Sequence, residues 1–532
     1  MFDYIIRNAL VMDGGGGPAF EADVAITNGK IAAVGVVEGE AERVIDGSDL
    51  VAAPGFIDMH SHTDSGLFTD PRAESKITQG VTLEVCGNCG FSSAPCLDEP
   101  GRAELDSWRK RCGIEDDWHT MGEFLSAYEK RQIGINIATL VGHCNLRAAV
   151  VGLEDREPTP DEIARMRQLA AESMEQGAFG ISTGLIYAPG CFAKTPELIE
   201  ITKGVAPYGG FYASHMRDER DGLVEAVDET IGIGRAAGVG VQISHHKACG
   251  STNWGKVKTT LEMIAEARKE GTDVTADQYP YPATSTTLAI FLPHWAHDGG
   301  DKVMLQRIRD MRPKLLEHLN RSSKLGEFGN YGDWSSVLIS SVKTDRNRNC
   351  EGKKLDEIAA ERGASPADTV LDLLLEEDAS VGMVQFAMCE EDIAMVMQGP
   401  NTMIGSDASA RAISGERASG KPHPRAFGTF TRVLGHYVRE QKVIPLEDAI
   451  RKMTSMAARK LGLKDRGLIS VGNWADIVVF DADKVKDMAT YGNPHQRSAG
   501  IEYVFVNGKL AVERGELTGE LAGKVLRRRG AK

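Results

Sequence analysis

The 532-residue chain has no long block of lysine or arginine; its one basic run is Arg527-Arg528-Arg529 at the tail. With a formal charge of -15, it lacks the concentrated positive surface that nucleic acid requires. No uninterrupted apolar stretch is long enough to span a bilayer. The opening residues, MFDYIIRNALVMD, have neither a basic start nor a long apolar segment, so no secretory signal is readable. The nine cysteines are an odd number, scattered without a framework spacing. Together these absences predict a cytoplasmic protein with reduced thiols, bound neither to nucleic acid nor to membrane. No GxGxxG follows an early strand, which removes the main reason to expect an open dinucleotide-binding sheet. Oligomeric state is not legible.

What is present is an ordinary globular composition, 42% hydrophobic and 26% charged. A chain this long buries a large core without help from metals or disulfides, so any metal site would serve chemistry. The first fifty residues and the last seventy alternate apolar and polar in short runs around Asn-Gly turns, at Asn28-Gly29 and Asn507-Gly508. This predicts a small β-sandwich domain built from residues 1–54 and 470–532. The middle, 55–469, alternates strand and helix. Capping signals stand at Thr159-Pro160-Asp161-Glu162 and Thr195-Pro196-Glu197. Units continue through SPADTVLDLLLEE, VGMVQF and NTMIGSD. So many repeats predict an α/β fold with a (β/α)8 TIM-like barrel. The rhythm breaks over about 286–349, where FLPHWAHDGG, FGNYGDW and KTDRNRN suit a lid-like insertion, with Phe291, Trp295 and Trp334 as its aromatic face.

Barrel active sites lie at the C-terminal ends of the strands, and those ends carry one kind of residue here. GFIDMHSH delivers His60 and His62, which share a face because strand side chains alternate. VTLEVCGNCG delivers Cys86 and Cys89, GGFYASH delivers His215, VGVQISHH delivers His245 and His246, and NTMIGSD delivers Asp407. Each alone has an ordinary structural explanation: a hydrogen-bonded histidine, a buried thiol, a turn aspartate. Jointly they point to a metal that takes imidazole, thiolate and carboxylate, which is Zn²⁺. Cys89, at the loop tip, is the better ligand of its pair; Cys86 reads as packing.

The stretches PGFIDMHSH, GNCGFS, FGISTGLIYAPG, SHMRDE, ISHHK, DQYPYPATST and HPRAFGTF resemble the N-acyl-D-amino-acid deacylases, or D-aminoacylases, of the amidohydrolase superfamily. The resemblance runs over most of the chain. It implies a barrel with a small β domain from both termini and an insertion closing over the site. It implies zinc on Cys89, His215 and His245, with His60, His62 and Asp407 at a weaker or second position. It implies substrate contacts from Tyr187, Lys247, Tyr279, Ser285 and Arg425. The expected reaction is hydrolysis of a small N-acyl-D-amino acid, with Asp407 as general base and then acid. The bridging lysine that many amidohydrolases carry on the fourth strand is missing from AFGISTGLIY, and Cys89 takes that place. Two rivals remain: a cyclic-amide hydrolase of the hydantoinase or dihydroorotase kind, which should show that lysine, and an inactive scaffold on the same barrel, which should have lost ligands. The preferred acyl group and side chain are not legible.

Overall fold

In a computed structural model, which describes residues 1–322 and 334–528, the two β-rich ends of the chain meet in one sheet. Phe2–Val11, Phe20–Thr27 and Lys30–Gly35 form an antiparallel meander. The Asn28-Gly29 turn has φ of 52° and 77°, the positive values that a two-residue hairpin of matching twist needs. From the other terminus, Ile477–Phe480 pairs with Val51–Pro54, and Ile501–Val506 and Lys509–Glu513 extend the sheet. Nine strands join it among the described residues. Alternation explains its burial on both faces. Ile6, Val24, Ile26, Ile477, Val479 and Phe505 share a core of their own. Val478, Val504 and Val506 turn the other way, into the main core of the molecule.

Eight parallel strands among the described residues make the barrel. They are Phe56–Asp58, Val81–Cys86, Asn136–Thr139 continued by Val141–Gly142, Gly180–Gly184, Phe211–His215, Gly240–Ile243, Val274–Gln278 and Thr402–Ile404. The ring closes where the Asp407 N–H donates to the His60 carbonyl at 2.8 Å and Ser61 bridges Ala408. Helices such as Pro160–Glu175, Leu223–Ala237 and Lys256–Lys269 return the chain between strands. Thr159 and Glu162 cap the first of these reciprocally, which satisfies two N–H groups that the helix start leaves unpaired. No helix among the described residues is long and apolar enough to cross a membrane.

After the seventh strand the chain leaves the barrel for longer than the expected 286–349. Ala283–Thr287, Val337–Val342 and Val381–Phe386 form a separate three-stranded antiparallel sheet. Leu288, Phe291, Met304, Leu319, Val370, Leu374 and Met383 form a core beside it. The helix Pro366–Glu376 and the strand Val381–Phe386 therefore belong to this excursion rather than to a barrel repeat. Phe291 and Trp334 pack on each other inside that core, ring centroids 5.2 Å apart, so of the three expected lid aromatics only Trp295 lines the cavity over the barrel. FGNYGD lies outside the described residues.

Candidate metal centre and active site

The strand ends bring their polar residues together at one mouth of the barrel. His60, His62, Cys89 and Asp407 form one group, and Cys89, His215 and His245 a second. Within each group the ligand-type atoms all lie within 4.8 Å of one another. Cys89 Sγ stands 3.2 Å from His60 Nε2 and 3.5 Å from His245 Nε2. His245 Nε2 is 2.9 Å from His215 Nδ1, and Asp407 Oδ1 is 3.0 Å from His62 Nε2 and 3.4 Å from His60 Nε2. Cys89 is the residue common to both groups. His246 turns away and meets Thr260 Oγ1 at 2.8 Å.

The local sequence explains why a cysteine can reach this point. Gly87, Cys89 and Gly90 all have positive φ, at 74°, 53° and 83°. A Cβ on Gly87 would stand 2.2 Å from the Leu140 carbonyl oxygen, and one on Gly184 would stand 2.0 Å from that of Cys89. The Gly-Asn-Cys-Gly turn is thus pressed between the third and fourth strands, where only glycine fits. His245 and Asp407 are left-handed too, at 35° and 50°. Such backbone costs on the order of 1–3 kcal/mol per residue and persists where its surroundings over-determine it. Three candidate ligands share it.

Two carboxylates that sequence reasoning passed over orient the imidazoles. Asp277 Oδ1 lies 3.1 Å from His60 Nδ1 and accepts the His245 N–H at 2.7 Å; its other oxygen accepts from Gln242 Nε2 at 2.7 Å. Glu219 Oε1 lies 2.9 Å from His245 Nδ1 and 2.6 Å from Lys247 Nζ. An acceptor on one ring nitrogen fixes the tautomer and frees the other for a metal. The signal was there: Asp277 stands one residue before the end of the seventh strand, and Glu219 follows His215 by four residues in SHMRDE.

Burial would raise the Cys89 thiol, yet His60 and His245 pull it well below its ordinary value. Burial likewise opposes ionisation of Asp407, but Arg425 and the surrounding imidazoles hold its carboxyl well below the usual carboxylate range. A thiol has a single proton, while two imidazole Nε2 atoms face this sulfur; a cation satisfies all of them together. The buried His215 Nε2 has no hydrogen-bond partner. Thiolate, imidazole and carboxylate in this arrangement fit zinc.

Above the centre lies a cavity of about 890 Å³. Tyr187, Lys247, Tyr279, Ser285 and Arg425 all line it, and the excursion adds Ile290, His294, Trp295 and Met383. Tyr187 Oη is 3.0 Å from Thr286 Oγ1, and the Ser285 carbonyl accepts from Arg425 Nη2 at 3.2 Å. The Tyr279 hydroxyl is buried without a hydrogen-bond partner, and the Arg425 guanidinium sits 4.5 Å from its ring centre. Neither cation waits alone: Lys247 is paired with Glu219, and Arg425 Nη1 with Asp407 Oδ2 at 2.8 Å.

A closed parallel barrel with His-x-His after its first strand, histidines at the fifth and sixth and an aspartate after the eighth defines a metal-dependent hydrolase. The family model for "Amidohydrolase family" matches residues 43–208 and 353–512. The chain is 39% identical over 531 residues to a D-aminoacylase of Alcaligenes xylosoxydans xylosoxydans, covering 100% of this chain and 98% of that protein. A solved D-aminoacylase with a binuclear metal centre superposes with a TM-score of 0.83 at 39% identity, covering 99% of this chain and 100% of the other. N-acyl-D-glutamate deacylase from Bordetella bronchiseptica, solved with zinc and a phosphonate mimic of the tetrahedral intermediate, gives 0.82 at 34% identity, covering 99% of each. The chain belongs to the amidohydrolase family, among the D-aminoacylases and N-acyl-D-amino-acid deacylases.

Proposed function

We propose that this protein hydrolyses N-acyl-D-amino acids to a carboxylate and a free D-amino acid. The observation that carries the reading is Cys89: one thiolate shared by two ligand groups at the floor of a cavity with an arginine on its wall. Cys89, His215 and His245 would hold zinc, with His60, His62 and Asp407 as a second position. When bound, zinc polarises the acyl carbonyl and lowers the pKa of water toward neutrality. Asp407 takes the proton of the attacking water and passes it to the leaving nitrogen, because an amine departs poorly unless protonated. Arg425 keeps that carboxylate ionised until the proton arrives. Glu219 and Lys247 fix the His245 ring. We also keep the cytoplasmic reading, since a thiolate ligand works where thiols stay reduced.

Arg425 is the better candidate for the substrate α-carboxylate, because its buried Nε has no partner while the Lys247 ammonium is engaged by Glu219. Tyr187, Tyr279, Ser285 and Lys247 would line the rest of the binding space. The test is a panel on zinc-replete enzyme: N-acetyl-D- and L-amino acids with neutral and acidic side chains, plus a hydantoin and a dihydropyrimidine. Turnover confined to linear D-substrates is expected. Turnover of the cyclic amides alone would replace the proposal with its cyclic-amide rival.

A sharper prediction concerns recognition. A hydrogen bond to a charged group is worth about 1.5–3 kcal/mol, roughly 10- to 150-fold. Converting the substrate α-carboxylate to a neutral amide should lower kcat/KM by about that factor. Arg425→Ala should add little further loss on the amide beyond what unpairing Asp407 causes, so the two changes should be non-additive. Kinetics of both enzymes on both substrates give the four corners. Additive losses would take Arg425 off the carboxylate.

A further inference from the structure

Beneath the metal centre lies a buried charge cluster that the chemistry above does not use. Lys76, Asp58 and Glu84 are all 0% exposed. Lys76 Nζ donates to Asp58 Oδ2 at 2.7 Å, to Ser406 Oγ at 2.6 Å and to the Ala408 carbonyl at 2.8 Å, and stands 2.9 Å from Glu84 Oε1. The Ser406 and Ala408 contacts fall on the residues immediately before and after Asp407. Asp58 completes the frame: its Oδ1 accepts the His60 N–H at 3.2 Å and the Ser406 N–H at 2.8 Å, and its Oδ2 accepts from Ser406 Oγ at 2.6 Å. Glu84 accepts from Ser61 Oγ at 2.8 Å and Thr63 Oγ1 at 2.9 Å, on the chain that carries His60 and His62.

Asp407 has φ of 50°, a conformation that a non-glycine residue keeps only when its neighbours enforce it. Its carboxylate is pulled by Arg425 on one side and His62 on the other, and neither contact fixes its backbone. The flanking contacts to Lys76 do. We propose that Lys76 is a positioning residue for Asp407, clamping residues 406 and 408 so that the strained Asp407 carboxylate stays aimed at the reacting centre. A buried ammonium serves this role where a neutral group would not, because it donates three hydrogen bonds at once, and here it reaches more than two chain segments. The inference rests on Asp407 being the proton shuttle of the proposed reaction.

The test separates position from charge. Lys76→Met leaves two buried carboxylates without their cation and is expected to destabilise the fold. The double variant Lys76→Met/Glu84→Gln keeps the cluster's net charge at that of the parent, since one positive and one negative group are removed together. Ser406→Ala removes only the hydroxyl link. For each variant, kcat and KM on an N-acetyl-D-amino acid, zinc content by elemental analysis and thermal midpoint are measured. A misplacement of about 1 Å in a catalytic group costs on the order of 10²-fold, so the double variant should lose about that in kcat with KM within about threefold and zinc content unchanged. Ser406→Ala should lose less, in the same sense. In an Asp407→Asn background the further loss should vanish, because both changes act through one carboxylate. A double variant with parental kcat would show that Lys76 only neutralises charge. A loss that persists in full beside Asp407→Asn would show that it acts on something else; either result overturns the proposal. If Asp407→Asn were itself near full activity, the assignment of the shuttle would fail instead, and the two failures are distinct.

Discussion

Cys89→Ala should lose its zinc and at least about 10³-fold of kcat/KM while remaining folded. The thiolate is the residue that both ligand groups share, so its loss opens both at once. A bound metal contributes several kcal/mol to the stabilisation of developing charge, and each 1.36 kcal/mol is tenfold in rate; about 4 kcal/mol gives the stated factor. The fold should survive, because the side chain sits at the barrel mouth rather than in the packed layers below, and the turn that carries it is held by Gly87 and Gly184 against backbone. Elemental analysis and circular dichroism, run beside the kinetics, check the three parts separately. An alanine variant with full zinc and full turnover would sink the proposed centre.

Much of this site could be read before any coordinates, for a physical reason. A parallel barrel buries both faces of its strands, so an imidazole, thiol or carboxylate at the C-terminal end of such a run stands out against Val, Ile and Ala. That rule found the ends carrying His60, Cys89, His215, His245 and Asp407, and applied evenly it would have taken Asp277 as well. Pairing was not legible. Nothing near Lys247 in sequence says that Glu219 reaches it, and nothing near Arg425 says that Asp407 does, because the partners arrive on different loops. The excursion misled for a related reason. Pro366–Glu376 followed by Val381–Phe386 has the local pattern of a barrel unit; its membership of another sheet is decided by pairing with Ala283–Thr287 and Val337–Val342, which local periodicity does not encode. Trp334 looked like a lid aromatic by composition, yet it is half-buried and packs edge-on over the buried Phe291 in the core of the excursion.

Asp407→Asn should separate the proton's path from the metal's. The amide keeps the shape of the side chain and an oxygen toward His62, so zinc on Cys89, His215 and His245 should stay at the parental level. It cannot take a proton from water, and it cannot return one to the leaving nitrogen. General acid–base catalysis is worth about 10²–10⁴-fold, and here one group serves both steps, so a loss toward the upper end is expected in kcat, with KM little changed. The residual rate should also become more sensitive to the basicity of the leaving group: an ester analogue, whose alkoxide needs less help from an acid than an amine does, should suffer much less from Asp407→Asn than the amide substrate. That contrast distinguishes a shuttle from a ligand, because a lost ligand would depress amide and ester alike. The ion pair to Arg425 adds a further check. With Asp407 neutral, Arg425 loses its partner at 2.8 Å and is left free to hold the substrate carboxylate more tightly, so KM should fall or hold rather than rise. A loss below tenfold on the amide, or equal losses on amide and ester, would assign the proton transfer to another residue.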